Sequence, residues 1–179
     1  MKPRTQARAS AERLYSFAPV VRADARVLIL GSMPGAASLK AQQYYAHRQN
    51  QFWSIIEQLY GVPRTQPYAI RLQALTQQRV ALWDVLQSCV RRGSLDAAIE
   101  HATAVPNELL QLLRAHPGIE RVCCNGGTAW RALRRHFGAA LDHEFAQVQC
   151  LPLPSTSPAH ARMRLADKLA SWQAALRYE

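Results

Sequence analysis

Arg26-Val27-Leu28-Ile29-Leu30-Gly31-Ser32-Met33-Pro34-Gly35 decides the fold. Val27 to Leu30 is apolar without alternation, the pattern of a short strand buried on both faces, and Gly31 with Pro34-Gly35 turns the chain out of it. Moving outward, a polar loop runs to about Asn50. Phe52, Trp53, Ile55, Ile56, Leu59 and Tyr60 then recur at helical spacing, and Gly61 supplies the stop. Tyr68 to Gln78 predicts a second helix and Val80-Ala81-Leu82-Trp83 a second buried strand, followed by a loop from Cys89 to Asp96. Asn107 to His116 is helical, and Arg121 to Cys124 is a third strand. Asn125-Gly126-Gly127 opens a helix carrying Trp130, Leu133 and Phe137. Phe145 to Leu151 is a fourth strand, Pro152 to Pro158 a loop, and a closing helix places Leu165, Leu169, Trp172 and Leu176 on one face.

Strands alternating with helices predict an α/β fold: a three-layer α/β/α sandwich around a central, mainly parallel four-stranded sheet. Upstream, residues 1–25 are expected to be a leader with an anchoring turn at Leu14 to Pro19. Residues 26–179 are expected to form a single domain. Ligands of such sheets bind beyond the carboxyl ends of the strands. The loops starting at Gly31, Asp84 and Pro152 all follow strands, so they are expected to meet at one edge.

The 179 residues carry 22 Lys plus Arg against 12 acids, a formal net charge of +10. Only Lys2, Lys40 and Lys168 are lysines; the rest is arginine, whose planar fork suits phosphate. An arginine-rich proteome would give the same bias. No apolar run is long enough to span a membrane, and no apolar segment follows Met1-Lys2-Pro3-Arg4 as a secretory signal would require. Cys89, Cys123, Cys124 and Cys150 include no C-x-x-C pair, so they read as small buried thiols in a reducing cytoplasm. No metal and no cofactor are expected.

Three segments carry candidate chemistry. Ser32-Met33-Pro34-Gly35 follows the first strand but fits neither the dinucleotide fingerprint nor the P-loop. Gln42-Gln43-Tyr44-Tyr45-Ala46-His47 sets two tyrosines in a polar loop as stacking surfaces for a planar base, ahead of Asn50-Gln51-Phe52-Trp53. Leu153-Pro154-Ser155-Thr156-Ser157-Pro158-Ala159-His160 offers hydroxyls and amides for a phosphate, or equally a helix cap.

G-S-M-P-G, Q-Q-Y-Y-A-H, N-x-F-W and L-P-S-T-S-P-A-H, in that order, resemble the hypoxanthine-DNA glycosylase family of the uracil-DNA glycosylase superfamily. Leu82-Trp83-Asp84-Val85, Arg92-Gly93-Ser94-Leu95-Asp96 and Asn125-Gly126-Gly127-Thr128-Ala129 resemble it too. The likeness spans Val27 to Trp172. It implies a monofunctional, monomeric repair enzyme that flips a deaminated base out of double- or single-stranded DNA and hydrolyses its N-glycosidic bond. Asn50 is the implied catalytic residue, holding the water; capping the helix at Phe52 is its competing role. Ser32, Met33, Pro34, Gly35, Tyr44, Tyr45, Asp84 and Asn125 are the implied base-binding residues. Ser155, Thr156, Ser157 and His160 are the implied DNA contacts.

Three positions depart from the pattern. Met33 stands where many relatives place Asp or Asn, Leu153 where uracil-specific members place His, and Arg48 where proline is common. Met33 and Leu153 favour hypoxanthine over uracil, since a purine leaves with a proton on its ring. A uracil or mismatched-thymine glycosylase, a non-catalytic DNA-binding module and a nucleoside-binding protein are the alternatives.

Overall fold

A computed structural model describes residues 12–176. In chain order the strands and helices are β1 (Arg13–Tyr15), β2 (Val27–Gly31), α1 (Ala36–Ala41), α2 (Phe52–Tyr60) and α3 (Tyr68–Gln77). Then come β3 (Val80–Asp84), β4 (Leu86–Val90), β5 (Val105–Pro106), α4 (Leu109–Ala115), β6 (Arg121–Asn125), α5 (Gly127–His143), β7 (Gln149–Leu153) and α6 (Leu165–Leu176). Short helical turns cover Asp96–Ala98 and His101–Thr103.

The central sheet has four strands in the order β3-β2-β6-β7, and every pairing is parallel. Each residue of β2 and β3 is buried. Their side chains divide by the period-2 rule. Leu28, Leu30, Ala81, Trp83, Val122 and Cys124 face a core shared with α4 and α5, whereas Val27, Ile29, Val80, Leu82 and Cys123 face a second core under α2, α3 and α6. Those two cores make the three expected layers. Among the described residues no helix is long and apolar enough to cross a membrane.

Several boundaries differ from the sequence reading. The expected anchoring turn begins as a strand, with Leu14 and Tyr15 in β1: β1 pairs antiparallel with β4, which also pairs with β5, giving a second, three-stranded sheet. Val20 adds a bridge to Leu82. The frayed leader expected at the N-terminus lies mostly outside the described residues. Cys89 belongs to β4, so the loop begins at Arg91; the strand's partner is some 75 residues away in sequence, as Arg13 to Ser88 shows, and no local pattern reveals it. The polar loop after β2 contains α1. Phe145 and Val148 anchor the turn after α5 in the core, which mimics strand spacing, and β7 starts only at Gln149.

Candidate active site

Gly31, Asp84, Asn125 and Leu153 end the four parallel strands at one edge, and the loops expected to meet there do so. The loop after β2 is strapped to the neighbouring chain: Val85 N donates to Gly31 O at 2.8 Å and Leu86 N to Ser32 O at 3.1 Å. Gly31 is required here, because a Cβ at this position would collide with Asp84 Oδ1. The Asp84 carboxyl therefore lies over the glycine, with the Tyr45 hydroxyl nearby.

Asp84 is 3% exposed and its Oδ2 is without a hydrogen-bond partner among the described residues. Burial, reinforced by the charge of Asp96 and opposed by that of Arg91, pushes its carboxyl up to about 8. The group is therefore mostly protonated at neutral pH. Asn107 Nδ2 donates to the Asp84 carbonyl at 2.9 Å and fixes the backbone beneath it.

Tyr45 is held with φ of 57°, a left-handed conformation rare for an aromatic residue. Its half-buried ring stacks on Phe52 with centroids 3.9 Å apart and planes at 20°. Burial and the Asp84 charge raise its phenol, and a hydrogen bond with the Asn125 side chain opposes that rise.

Asn50, half-buried beside this stack, accepts a hydrogen bond from Phe52 N at its Oδ1, 2.9 Å away. The capping role is thus realised; a carbonyl oxygen retains a second lone pair for another donor. The next residue ties two loops together, with Gln51 N donating to Thr156 O at 2.9 Å. Asn125 completes the seam: its Nδ2 donates to Thr156 Oγ1 and its Oδ1 accepts from Thr156 N, both at 2.9 Å. Gly126, at φ +99°, lets Ser155 pack against the start of α5. Ser155 and Ser157 are half-buried, their hydroxyls accepting from Ser157 N at 3.2 Å and Ala159 N at 3.3 Å. His160 is half-buried in the same loop.

Three residues that the sequence reading exposed to DNA or a base are buried. Tyr44 is 3% exposed, packed edge-on against Phe17 and behind Tyr45, so its ring packs in the core while its hydroxyl reaches the Asp84 side chain. Met33 is likewise part of the α4–α5 core. Thr156 is fully buried with both polar groups engaged by Asn125, so it shapes the loop and cannot reach a phosphate. Asn125, tied to Thr156 through both amide atoms, positions that loop. Pro34 is buried, its carbonyl taken by Arg91 Nη2; Ser32 Oγ donates to Asp96 Oδ2 at 2.6 Å, and Gly35 precedes α1.

Two site residues escaped the sequence reading. Arg91 is 4% exposed and bonds the Pro34 and Gly93 carbonyls, locking the Arg91–Leu95 loop to the loop after β2. Lys168, on α6, is 1% exposed; its Nζ donates to Gln51 Oε1 at 2.9 Å and His160 O at 3.0 Å, and burial lowers its ammonium. It clamps the Asn50 loop to the Ser155–His160 loop. Neither has a local signal, because their partners Pro34 and Gln51 lie 57 and 117 residues away in sequence.

This fold and edge place the chain among base-excising DNA enzymes in comparison with known proteins. The model of the "Uracil DNA glycosylase superfamily" matches residues 18–177, and the chain belongs to that superfamily. It is 30% identical over 165 residues to the hypoxanthine DNA glycosylase of Methanosarcina acetivorans, covering 90% of this chain and 97% of that one. To the hypoxanthine DNA glycosylase of Methanosarcina barkeri it is 34% identical over 111 residues, covering 62% and 69%. A Methanosarcina acetivorans chain solved by solution NMR and proposed to be a uracil DNA glycosylase superposes with a TM-score of 0.77 at 28% identity, covering 93% of this chain and 98% of that one.

Proposed function

We propose that the protein is a DNA repair glycosylase that hydrolyses the N-glycosidic bond of deoxyinosine, releasing hypoxanthine from DNA. The observation that carries this reading is the buried, neutral Asp84 carboxyl at the carboxyl edge of the sheet, beside Tyr45. A neutral carboxyl offers one O–H donor and one C=O acceptor. Those groups complement the C6 carbonyl and N1–H of hypoxanthine. The likeness to two hypoxanthine DNA glycosylases supports the same base.

The nucleotide rotates out of the stack, at a cost of about a few kcal/mol that a poorly paired base reduces. Tyr45, braced by Phe52, stacks on it. Asn50 presents its second lone pair to a water aimed at C1′. The C1′–N9 bond breaks with its electron pair leaving on the base, a ring nitrogen of the base takes up one proton from solvent, and water bonds C1′ through its oxygen and returns one proton to solvent. Ser155, Ser157 and His160 contact flanking phosphates, whose charge favours the oxocarbenium character of C1′. The only lysine ammonium at the seam, that of Lys168 among the described residues, is buried and doubly hydrogen-bonded, which supports a water-using, monofunctional enzyme. Cytoplasmic location and a monomeric state accompany this reading.

The test is base release, with enzyme in excess, from duplexes carrying one deoxyinosine, one deoxyuridine or one mismatched thymidine. Fastest cleavage at deoxyinosine is expected. Uracil presents a similar N–H and C=O pair, and faster cleavage there would retain the class and change the substrate. No cleavage, with salt-sensitive DNA binding intact, would leave a DNA-binding module.

A further inference from the structure

Helix α5 treats its arginines in two ways. On one side Arg134 is neutralised by Asp142, with Nη1 donating to Oδ1 at 2.8 Å and Nη2 to Oδ2 at 2.7 Å. On the other, Thr128, Arg131, Ala132 and Arg135 recur at i, i+3, i+4 and i+7, one stripe that starts where β6 delivers the chain to the carboxyl edge. With His136, this stripe faces residues 99–104 across a cleft. Leu86, Ile99, Ala104 and Ala132 supply its apolar surface, and His101 stands on the wall opposite α5.

The cleft gathers positive charge without balancing it. Its walls hold two arginines and two histidines and, among the described residues, no carboxyl. Arg131 and Arg135 are exposed, and neither has an ion pair among the described residues. Two acids stand near without neutralising them. Asp96, whose carboxyl feels Arg131, accepts from Ser32 Oγ and faces Arg91; Glu100 is exposed beside His101, outside the walls. Like charges four residues apart on a helix destabilise it. An anion between them relieves that repulsion, and guanidinium forks match phosphate oxygens. His136 reports the same field. Burial, then the charges of Arg135 and His101, hold its half-buried imidazole below the usual histidine range. Both charges acting on it are cationic, so an arriving anion favours its protonation.

We propose that this cleft is a phosphate site separate from the base pocket: Arg131 and Arg135 grip the oxygens of one phosphate group, and His101 and His136 close over it. The occupant its placement favours is a backbone phosphate of the DNA flank, because the stripe leads away from the edge that receives the lesion. Free phosphate is the other source of the same chemistry. Binding draws a proton onto His136. Affinity is therefore greatest at low pH and declines as pH rises through the titration of the bound histidine. The site does not depend on which base is excised.

The experiment follows the His136 imidazole by NMR across a pH titration of the whole protein, alone, with inorganic phosphate and with an undamaged duplex. Duplex affinity is measured in parallel at two pH values, at fixed salt, for wild type, Arg135→Ala and His136→Gln. Duplex is expected to raise the His136 titration midpoint by about one unit or more, the effect of an adjacent opposite charge. Wild type should lose several-fold more affinity with rising pH than either variant, and Arg135→Ala, an exposed change, decides the point if His136→Gln fails to fold. A midpoint raised by inorganic phosphate but not by duplex would keep the site and assign it to free phosphate. A midpoint unmoved by both ligands would overturn it. If wild type releases no base, the glycosylase reading fails, and these binding measurements still decide the site.

Discussion

At the scale of single residues, the account turns on a carboxyl kept neutral. Asp84 titrates near 8 in the fold against an ordinary 3.8, so the native state binds more protons than the unfolded chain between those values. Its contribution to stability therefore falls as pH rises from about 4 to about 8. Asp84→Asn keeps one donor and one acceptor without the ionisation. Thermal melting should show the variant gaining on wild type progressively as pH rises across that window. Single-turnover base release should decline above about pH 8 in wild type and stay flat in Asp84→Asn. An identical alkaline limb in both proteins would remove Asp84 from base reading. Tyr45 carries a separate expectation: Tyr45→Ala should slow release about 5- to 150-fold, the equivalent of 1–3 kcal/mol of stacking, while binding to undamaged DNA holds. Asn50→Ala should likewise slow release far more than it weakens binding; an unchanged rate would assign Asn50 to helix capping alone.

At the scale of elements, the strands were legible because each parallel strand is a short unbroken apolar run, and the helices because their apolar residues recur at 3.6 spacing. Val27 to Leu30 and Phe52 to Tyr60 both follow these rules. What local pattern could not show was pairing at long range. β1 becomes a strand only because β4 lies beside it, and Arg13 reaches Ser88 and Thr103 to fasten the pair. The site divides the same way. Gly31 and Asp84 were legible as residues at the ends of strands and Tyr45 as one of two tyrosines in a polar loop, whereas the burial of Tyr44 and Thr156 was not, because neighbours in sequence have opposite burial in a tight turn. Arg91 and Lys168 act across loops that only the fold brings together. Lys168→Met therefore has a specific expectation. Removing a buried ammonium relieves its desolvation while leaving two acceptors unpaired, so melting should move by no more than about 2 kcal/mol. Base release should nevertheless slow by about tenfold or more as the Asn50 and Ser155 loops separate, the sensitivity expected of misplaced reacting groups. Unfolding of the variant would instead assign Lys168 to stability, and Lys168→Arg would then show whether any cation restores the rate.

At the scale of the whole molecule, exposed cations without ion pairs among the described residues gather in the loops and helix turns that follow the carboxyl ends of the strands. Arg22 pairs with Asp24, Arg26 with Glu120, Arg114 with Glu144 and Arg134 with Asp142, all near the amino ends of the strands or the distal part of α5. Lys40, Arg48, Arg92, Arg131 and Arg162 are exposed in loops and helix turns that follow the carboxyl ends and have no ion pair among the described residues. Arg91 with Asp96 and Arg164 with Asp167 are ion pairs on the carboxyl-end side, so the five exposed cations, rather than a clean division of charge, are what that side offers a polyanion. If three to five of these cations meet phosphates, the logarithm of the DNA association constant should fall against that of salt with a slope of roughly −3 to −4.5. Arg92→Ala and Arg131→Ala should each lower that slope by about one. A slope near zero would remove the DNA-facing rim.

The most direct test of the central claim is to identify what leaves the DNA. Wild-type protein in excess over a deoxyinosine duplex should release free hypoxanthine, seen by mass spectrometry, and leave an intact strand that breaks only on alkaline treatment of the abasic site. Intact deoxyinosine after complete binding, or release of a nucleotide with strand cleavage, would contradict it.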